Sequence, residues 1–156
     1  MVFLKRKISL PIIFSFLVFL FLYFVILSHK VNLITADLGR HIINGKYFFL
    51  DKTVLNQNFY SFTNPVFSTI NHHWAVGVLF YFIYQLTGFI GLQILFIFTS
   101  LLTFFTFLYL AARKNSYFLL LPLSLFILPL LAERTEIRPE IFSNLFAGLI
   151  FFLLYL

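Results

Sequence analysis

Residues Asn71–Gly88 read NHHWAVGVLFYFIYQLTG, and the reading of this stretch decides the fold. Two histidines and a tryptophan open it, and the chain then turns almost wholly apolar. As a membrane span, Trp74–Leu86 would rise only roughly 20 Å at about 1.5 Å per residue, short of a hydrocarbon core of ~30 Å. As a helix lying in the interface it brings Trp74, Tyr81 and Tyr84 to headgroup level, where amphipathic rings are favoured. A crossing here would also send the next helix outward and strand Arg113-Lys114 on the outer side. A surface helix over 74–86 is therefore expected, with Thr87-Gly88 as the corner into a spanning helix over 89–112.

The composition agrees with a membrane setting. Of 156 residues, 62% are hydrophobic, 22% aromatic and only 10% charged, whereas a soluble domain carries about a quarter charged residues. The net charge is +6, but the basic residues are few and scattered. Anionic lipid or an anionic lipid-linked substrate fits that pattern, and nucleic acid does not. There is no cysteine, which excludes a disulfide framework and a thiolate metal site.

Working outward, the chain starts with Lys5-Arg6-Lys7 and an apolar run, Ile8–Leu27, longer than the roughly 7–15 residues of a signal-peptide core. No small-x-small cleavage site follows, so an uncleaved signal anchor over 8–28 is expected. Further spans are expected over 89–112, 116–132 (with Pro122 and Pro129) and 140–156. The last is still apolar and uncapped at Leu156, as in the front part of a longer protein. The expected fold is an all-α integral membrane module over 1–156. It has about four transmembrane helices and two juxtamembrane helices, 36–44 and 74–86, in an outer loop over 29–88. Lys5-Arg6-Lys7 and Arg113-Lys114 place the N-terminus in the cytoplasm and bring 29–88 and 133–140 together outside. Lys30, Arg40, Lys46 and Lys52 run against this bias, but in a long loop where the rule is weak.

The loop has its own order. TADLGRHIINGKYF reads as a short helix with Thr35 as N-cap and Asn44-Gly45 as stop. Asp37, Arg40 and His41 stand at i, i+3 and i+4, on one face. The five carboxylates, Asp37, Asp51, Glu133, Glu136 and Glu140, all fall outside the apolar spans. Asp51 beside Lys52 reads as a solvated charge. For Asp37 the structural reading is complementation of a helix N-terminus, worth about 0.3–1 kcal/mol, and it competes evenly with a functional one. His72-His73 invite a metal reading, but adjacent residues on a helix or strand diverge and no chelating spacing occurs. AERTEIRPEIF clusters Glu133, Arg134, Glu136, Arg138 and Glu140 at a helix mouth, with Pro139 suited to a first helical turn. Salt bridging explains that cluster as well as a guanidinium held ready for phosphate does. No Walker loop, dinucleotide fingerprint or nucleophile elbow is present.

In order, DLGRHIINGKY, NFYSFTNP, INHHWAVGVLFYFIYQLTGFIGL and ERTEIRPEIFSNL resemble the N-terminal part of GT-C-type membrane glycosyltransferases, over about Thr35 to Asn144. The likeness is to a poorly characterised bacterial branch with an Asp-x-Gly-x-His loop motif, an Asn-His-x-Trp segment and a later Arg-Pro-Glu. The resemblance implies a bacterial inner-membrane enzyme that takes a sugar from a polyprenyl-phosphate carrier on the outer face. It implies an acidic catalytic residue in the first outer loop, matched by Asp37, framed by two surface helices. Arg40, His41, His72, His73, Trp74, Arg134, Arg138 and Glu140 are then expected around the substrate. Many members carry a second acid directly after the loop aspartate; here Leu38 stands there, and no metal or other cofactor is expected. The expected partners are the lipid-linked sugar donor and membrane lipids. From another class, the same features fit a small non-enzymatic membrane protein whose outer loop binds a partner or lipid.

Overall fold

The computed structural model describes residues 10–30, 36–114 and 117–155, and every regular element in them is a helix. These are α1 (Leu10–Lys30), α2 (Ala36–Asp51), α3 (Trp74–Lys114), α4 (Tyr117–Ala132) and α5 (Glu140–Leu154). Thr35, the expected N-cap, and Lys5-Arg6-Lys7, Ile8 and Leu156 lie outside the described residues. The all-α expectation holds. Among the described residues α3 is the one helix long and apolar enough to cross a membrane; α1, α4 and α5 contribute shorter apolar stretches, Ile13–Ser28, Pro122–Leu131 and Glu140–Leu154.

The helices fall into two compact units. The first comprises Met1–Val31, Phe96–Thr135 and Glu140–Leu156. Within it Phe19, Tyr23 and Leu27 are buried at intervals of four along α1, and Phe96, Phe104 and Leu108 are buried at intervals of eight and four along α3. Tyr23 meets Phe104 with ring centroids 5.3 Å apart, and Phe107 meets Phe151 at 6.4 Å. Gly148 of α5 lies against the side chains of Phe107 and Thr106. The buried hydroxyl of Thr106 donates to the Leu102 carbonyl (2.8 Å), so this polar group needs no partner outside its own helix. Large apolar side chains such as Phe14, Phe21, Phe98 and Phe126 point outward.

The second unit comprises Asn32–Leu95 and Glu136–Pro139. Helix α2 is amphipathic at helical spacing: Leu38, His41, Ile42 and Gly45 are buried, while Gly39, Arg40, Ile43 and Lys46 are exposed. It does not stop at Asn44-Gly45 as expected but runs to Asp51. The glycine serves another purpose. A Cβ on Gly45 would lie 2.6 Å from the Gly77 carbonyl carbon and 2.8 Å from Tyr81 Cβ, and one on Gly77 would lie 2.8 Å from the His41 carbonyl oxygen. The backbones of α2 and α3 therefore touch at the Gly45–Gly77 pair, and only residues without a side chain allow it. The actual stop is Lys52, in the left-handed region at φ 56°, whose N–H donates to the Phe48 carbonyl (2.9 Å). Phe48 on Trp74 (5.2 Å) and Phe49 on Tyr81 (5.4 Å) extend the contact.

The expected corner is present. Gly88 breaks α3 with φ 65° and ψ −152°, a combination essentially restricted to glycine. Thr87 Oγ1–H donates to the Ile83 carbonyl (3.0 Å) just before it.

Candidate functional site

Every residue that makes up the candidate site belongs to the second unit. Asp37 sits in the first turn of α2, where a carboxylate meets the positive end of the helix dipole. Its Oδ1 is 2.9 Å from Arg40 Nη2, one turn on. Both side chains are partly exposed (38% and 49%), so the pair is worth no more than about 0.3–0.5 kcal/mol. Arg40 therefore orients the carboxylate more than it holds the fold, and the carboxylate stays open to a ligand.

His41 takes a different direction from the one its spacing suggested. It is 4% exposed and turned into the helix pair, with its ring edge-on to Phe80 (6.4 Å) and to His73 (5.8 Å). Positions i and i+4 bracket a helical face, but α2 buries the side that carries Leu38 and Ile42, and His41 falls with them. His72 and His73 stand in the turn before α3, not on a helix or strand, so the argument that their side chains diverge does not apply. Their ring centroids are 4.1 Å apart. His72 Nδ1 is 3.3 Å from the Ile70 carbonyl oxygen. Three imidazoles thus gather around the head of α3, two of them from the Asn-His-x-Trp stretch and one from α2. Among the described residues no three His, Asp or Glu side chains form a group able to hold a metal ion.

The loop between α2 and α3 is fastened to this site. Tyr60 Oη–H donates to Asn44 Oδ1 (2.6 Å), with the Arg40 carbonyl oxygen a second acceptor at 3.3 Å. Burial raises the Tyr60 hydroxyl above its ordinary pKa of 10.0; Tyr47 nearby adds to this and Arg40 opposes it. The phenol therefore remains a donor at neutral pH. Phe59 packs edge-on against Tyr47 at 5.0 Å. Nothing local in NFYSFTNP signals the hydrogen bond from Tyr60 to Asn44 across sixteen residues of chain.

From the second motif cluster, Glu136–Pro139 joins this unit, with Ile137 wholly buried in it. Arg138 Nη2 pairs with Glu136 Oε2, while Arg138 Nε is buried without a hydrogen-bond partner among the described residues. The salt-bridge reading of the cluster thus holds for this pair. Arg134 and Glu140 belong to the first unit. Of the expected substrate residues, Arg40, His41, His72, His73 and Trp74 are grouped along α2 and the head of α3, and Arg138 shares their unit. No protein-family model, no curated protein and no solved structure matches this chain.

Proposed function

We propose that the chain serves a membrane glycosyltransferase of the GT-C type, multi-pass and with its N-terminus in the cytoplasm. The enzyme transfers a sugar from a polyprenyl-phosphate carrier to an acceptor on the outer face. The observation that carries this reading is Asp37: an accessible carboxylate at the head of a helix, oriented by Arg40, in a unit that also takes in the Arg138 segment. The order of the sequence motifs supports it. Outward-facing Phe14, Phe21, Phe98 and Phe126 support the further spans, since water would otherwise meet a large apolar surface. Helix α1 adds the shorter apolar stretch Ile13–Ser28.

In the transfer, an acceptor oxygen attacks the anomeric carbon of the sugar and the bond from that carbon to the carrier phosphate breaks. The electron pair leaves on the phosphate, and Asp37 takes the acceptor's hydroxyl proton. A phosphate leaving group held by cations needs little acid assistance, so one carboxylate suffices where glycoside hydrolysis usually uses two. Arg138 and the histidines at the head of α3 are the donors proposed for the phosphate. Asp37→Asn keeps the shape and removes the base. Sugar transfer from a lipid carrier, measured in membranes, is expected to fall by ~10²–10⁴-fold with membrane insertion unchanged. Near-normal transfer by Asp37→Asn, with loss on Glu136→Gln, would move the base to the other segment.

A further inference from the structure

The chain from Thr53 to Trp74 contains no carboxylate, lysine or arginine, yet it is one of the most exposed parts of the molecule. It doubles back on itself. Asn58 N–H donates to the Phe67 carbonyl and Thr69 N–H to the Asn56 carbonyl, both at 2.8 Å, around an antiparallel bridge from Gln57 to Ser68. The tip is tightened by Asn64 N–H donating to Ser61 Oγ (3.0 Å). What this built turn presents is apolar. Phe62 is 102% exposed, Ile70 88% and Val66 74%, with Phe67 also exposed. A loop that lives in water is normally polar or charged at its tip, and backbone order here is spent on holding phenylalanine outward.

Three features of the same unit say which partner fits. The exposed residues are those of a membrane interface: aromatic rings, with asparagines, serines and threonines between them and no charge to desolvate. Lys46 and Lys52 against the single Asp51 leave an excess of positive charge at the loop's root, which suits anionic headgroups. The loop also leads directly into α3, which is apolar enough to cross a bilayer from Trp74 onward and leaves Trp74, Leu79, Phe82 and Leu86 exposed in its first segment. We infer that residues 61–70 form a wedge that inserts Phe62, Val66 and Ile70 into the interfacial zone of the lipid leaflet. The hydrogen bond from Tyr60 to Asn44 ties the base of that wedge to α2, so the helix carrying Asp37 is referenced to the lipid surface. The inference rests on the membrane part of the proposed function and not on sugar transfer.

Trp74 is the sole tryptophan, which allows a direct test. In a Trp74→Phe background, Phe62→Trp and, separately, Val66→Trp place one indole at the tip, where exposure makes either change harmless to folding. The full chain is reconstituted into vesicles of phosphatidylcholine and phosphatidylglycerol, with or without lipids brominated high on the acyl chain. Both reporters are expected to show blue-shifted emission, loss of intensity in brominated vesicles and protection from aqueous iodide. Iodide quenching equal to that of a free tryptophan amide, with no effect of bromine, overturns the inference. So does shielding from both quenchers, which would mean that protein, such as a second copy of the chain, covers the tip. Release of the chain from the vesicles by alkaline carbonate overturns the membrane reading itself, and with it the wedge. A chain that inserts its wedge but transfers no sugar leaves the inference standing and removes only the proposed chemistry.

Discussion

Two alanine substitutions in one helix separate packing from propensity in the second unit. At Gly45 an added Cβ would stand 2.6 Å from the Gly77 carbonyl carbon and 2.8 Å from Tyr81 Cβ, where ordinary contact begins at 3.4 Å. The obstacle on α3 is backbone, so it cannot swing aside, and α2 must retreat by roughly an ångström. A gap of that size forfeits a quarter to a half of each dispersion contact along the seam, and overpacking of this kind costs about 1–3 kcal/mol. Alanine regains about 1 kcal/mol of helix propensity, so Gly45→Ala should destabilise the α2–α3 pair by up to about 2 kcal/mol. At Gly39 nothing lies within 4 Å, so Gly39→Ala should gain the ~1 kcal/mol of propensity without opposition. The two variants should then differ by about 3 kcal/mol, or on the order of 100-fold in the opening equilibrium of α2. Amide hydrogen exchange of α2 in mild detergent reads that equilibrium. Equal protection in the two variants would show that the helices do not cross at Gly45–Gly77.

Two further outcomes follow from backbone and loop geometry. Gly88→Ala meets no neighbouring atom within 4 Å, so its expected cost of about 1–3 kcal/mol is conformational strain alone. D-alanine, for which φ 65° and ψ −152° are the mirror of an easy extended conformation, should restore wild-type protection of the adjoining amides. Tyr60→Phe removes the hydrogen bond to Asn44 and should loosen the loop by about 0.5–1.5 kcal/mol. Because burial raises the folded hydroxyl above 10.0, its contribution is fully present below pH 10 and is lost as pH rises through the raised value. Near-ultraviolet circular dichroism should show that alkaline step in the wild type and not in Tyr60→Phe.

The elements legible in the sequence were those governed by local rules. Apolar runs located the helices, and Gly88 after Thr87 marked the corner because a glycine between two apolar helical stretches has few other uses. Gly45 misled for the same reason: a glycine after an asparagine looks like a helix stop, and only contact with α3 reveals that it is a spacer. The true stop, Lys52 with positive φ, carries no signature at all. In the candidate site, the spacing of Asp37 and Arg40 anticipated their ion pair. It did not anticipate His41 turning inward, because which face of α2 is buried depends on where Phe80 and Gly77 lie. Tyr60 was invisible for want of any pattern linking it to Asn44, and the divergence argument for His72 and His73 failed because both stand in a turn.

The absence of Lys, Arg, Asp and Glu continues beyond the loop, through Gly88 and along α3 as far as Ala112. An energised bilayer does work on charge, about 2.3 kcal/mol per elementary charge for each 100 mV. From Trp74 to Ala112 the field finds no Lys, Arg, Asp or Glu to act on. Under the membrane reading, neither the voltage nor its collapse drives or opposes the delivery of the loop and the corner to the outer face. The charges that bound this stretch are Asp51-Lys52 on one flank and Arg113-Lys114 on the other. A single lysine placed near the corner would therefore introduce an electrical preference into a stretch that has none.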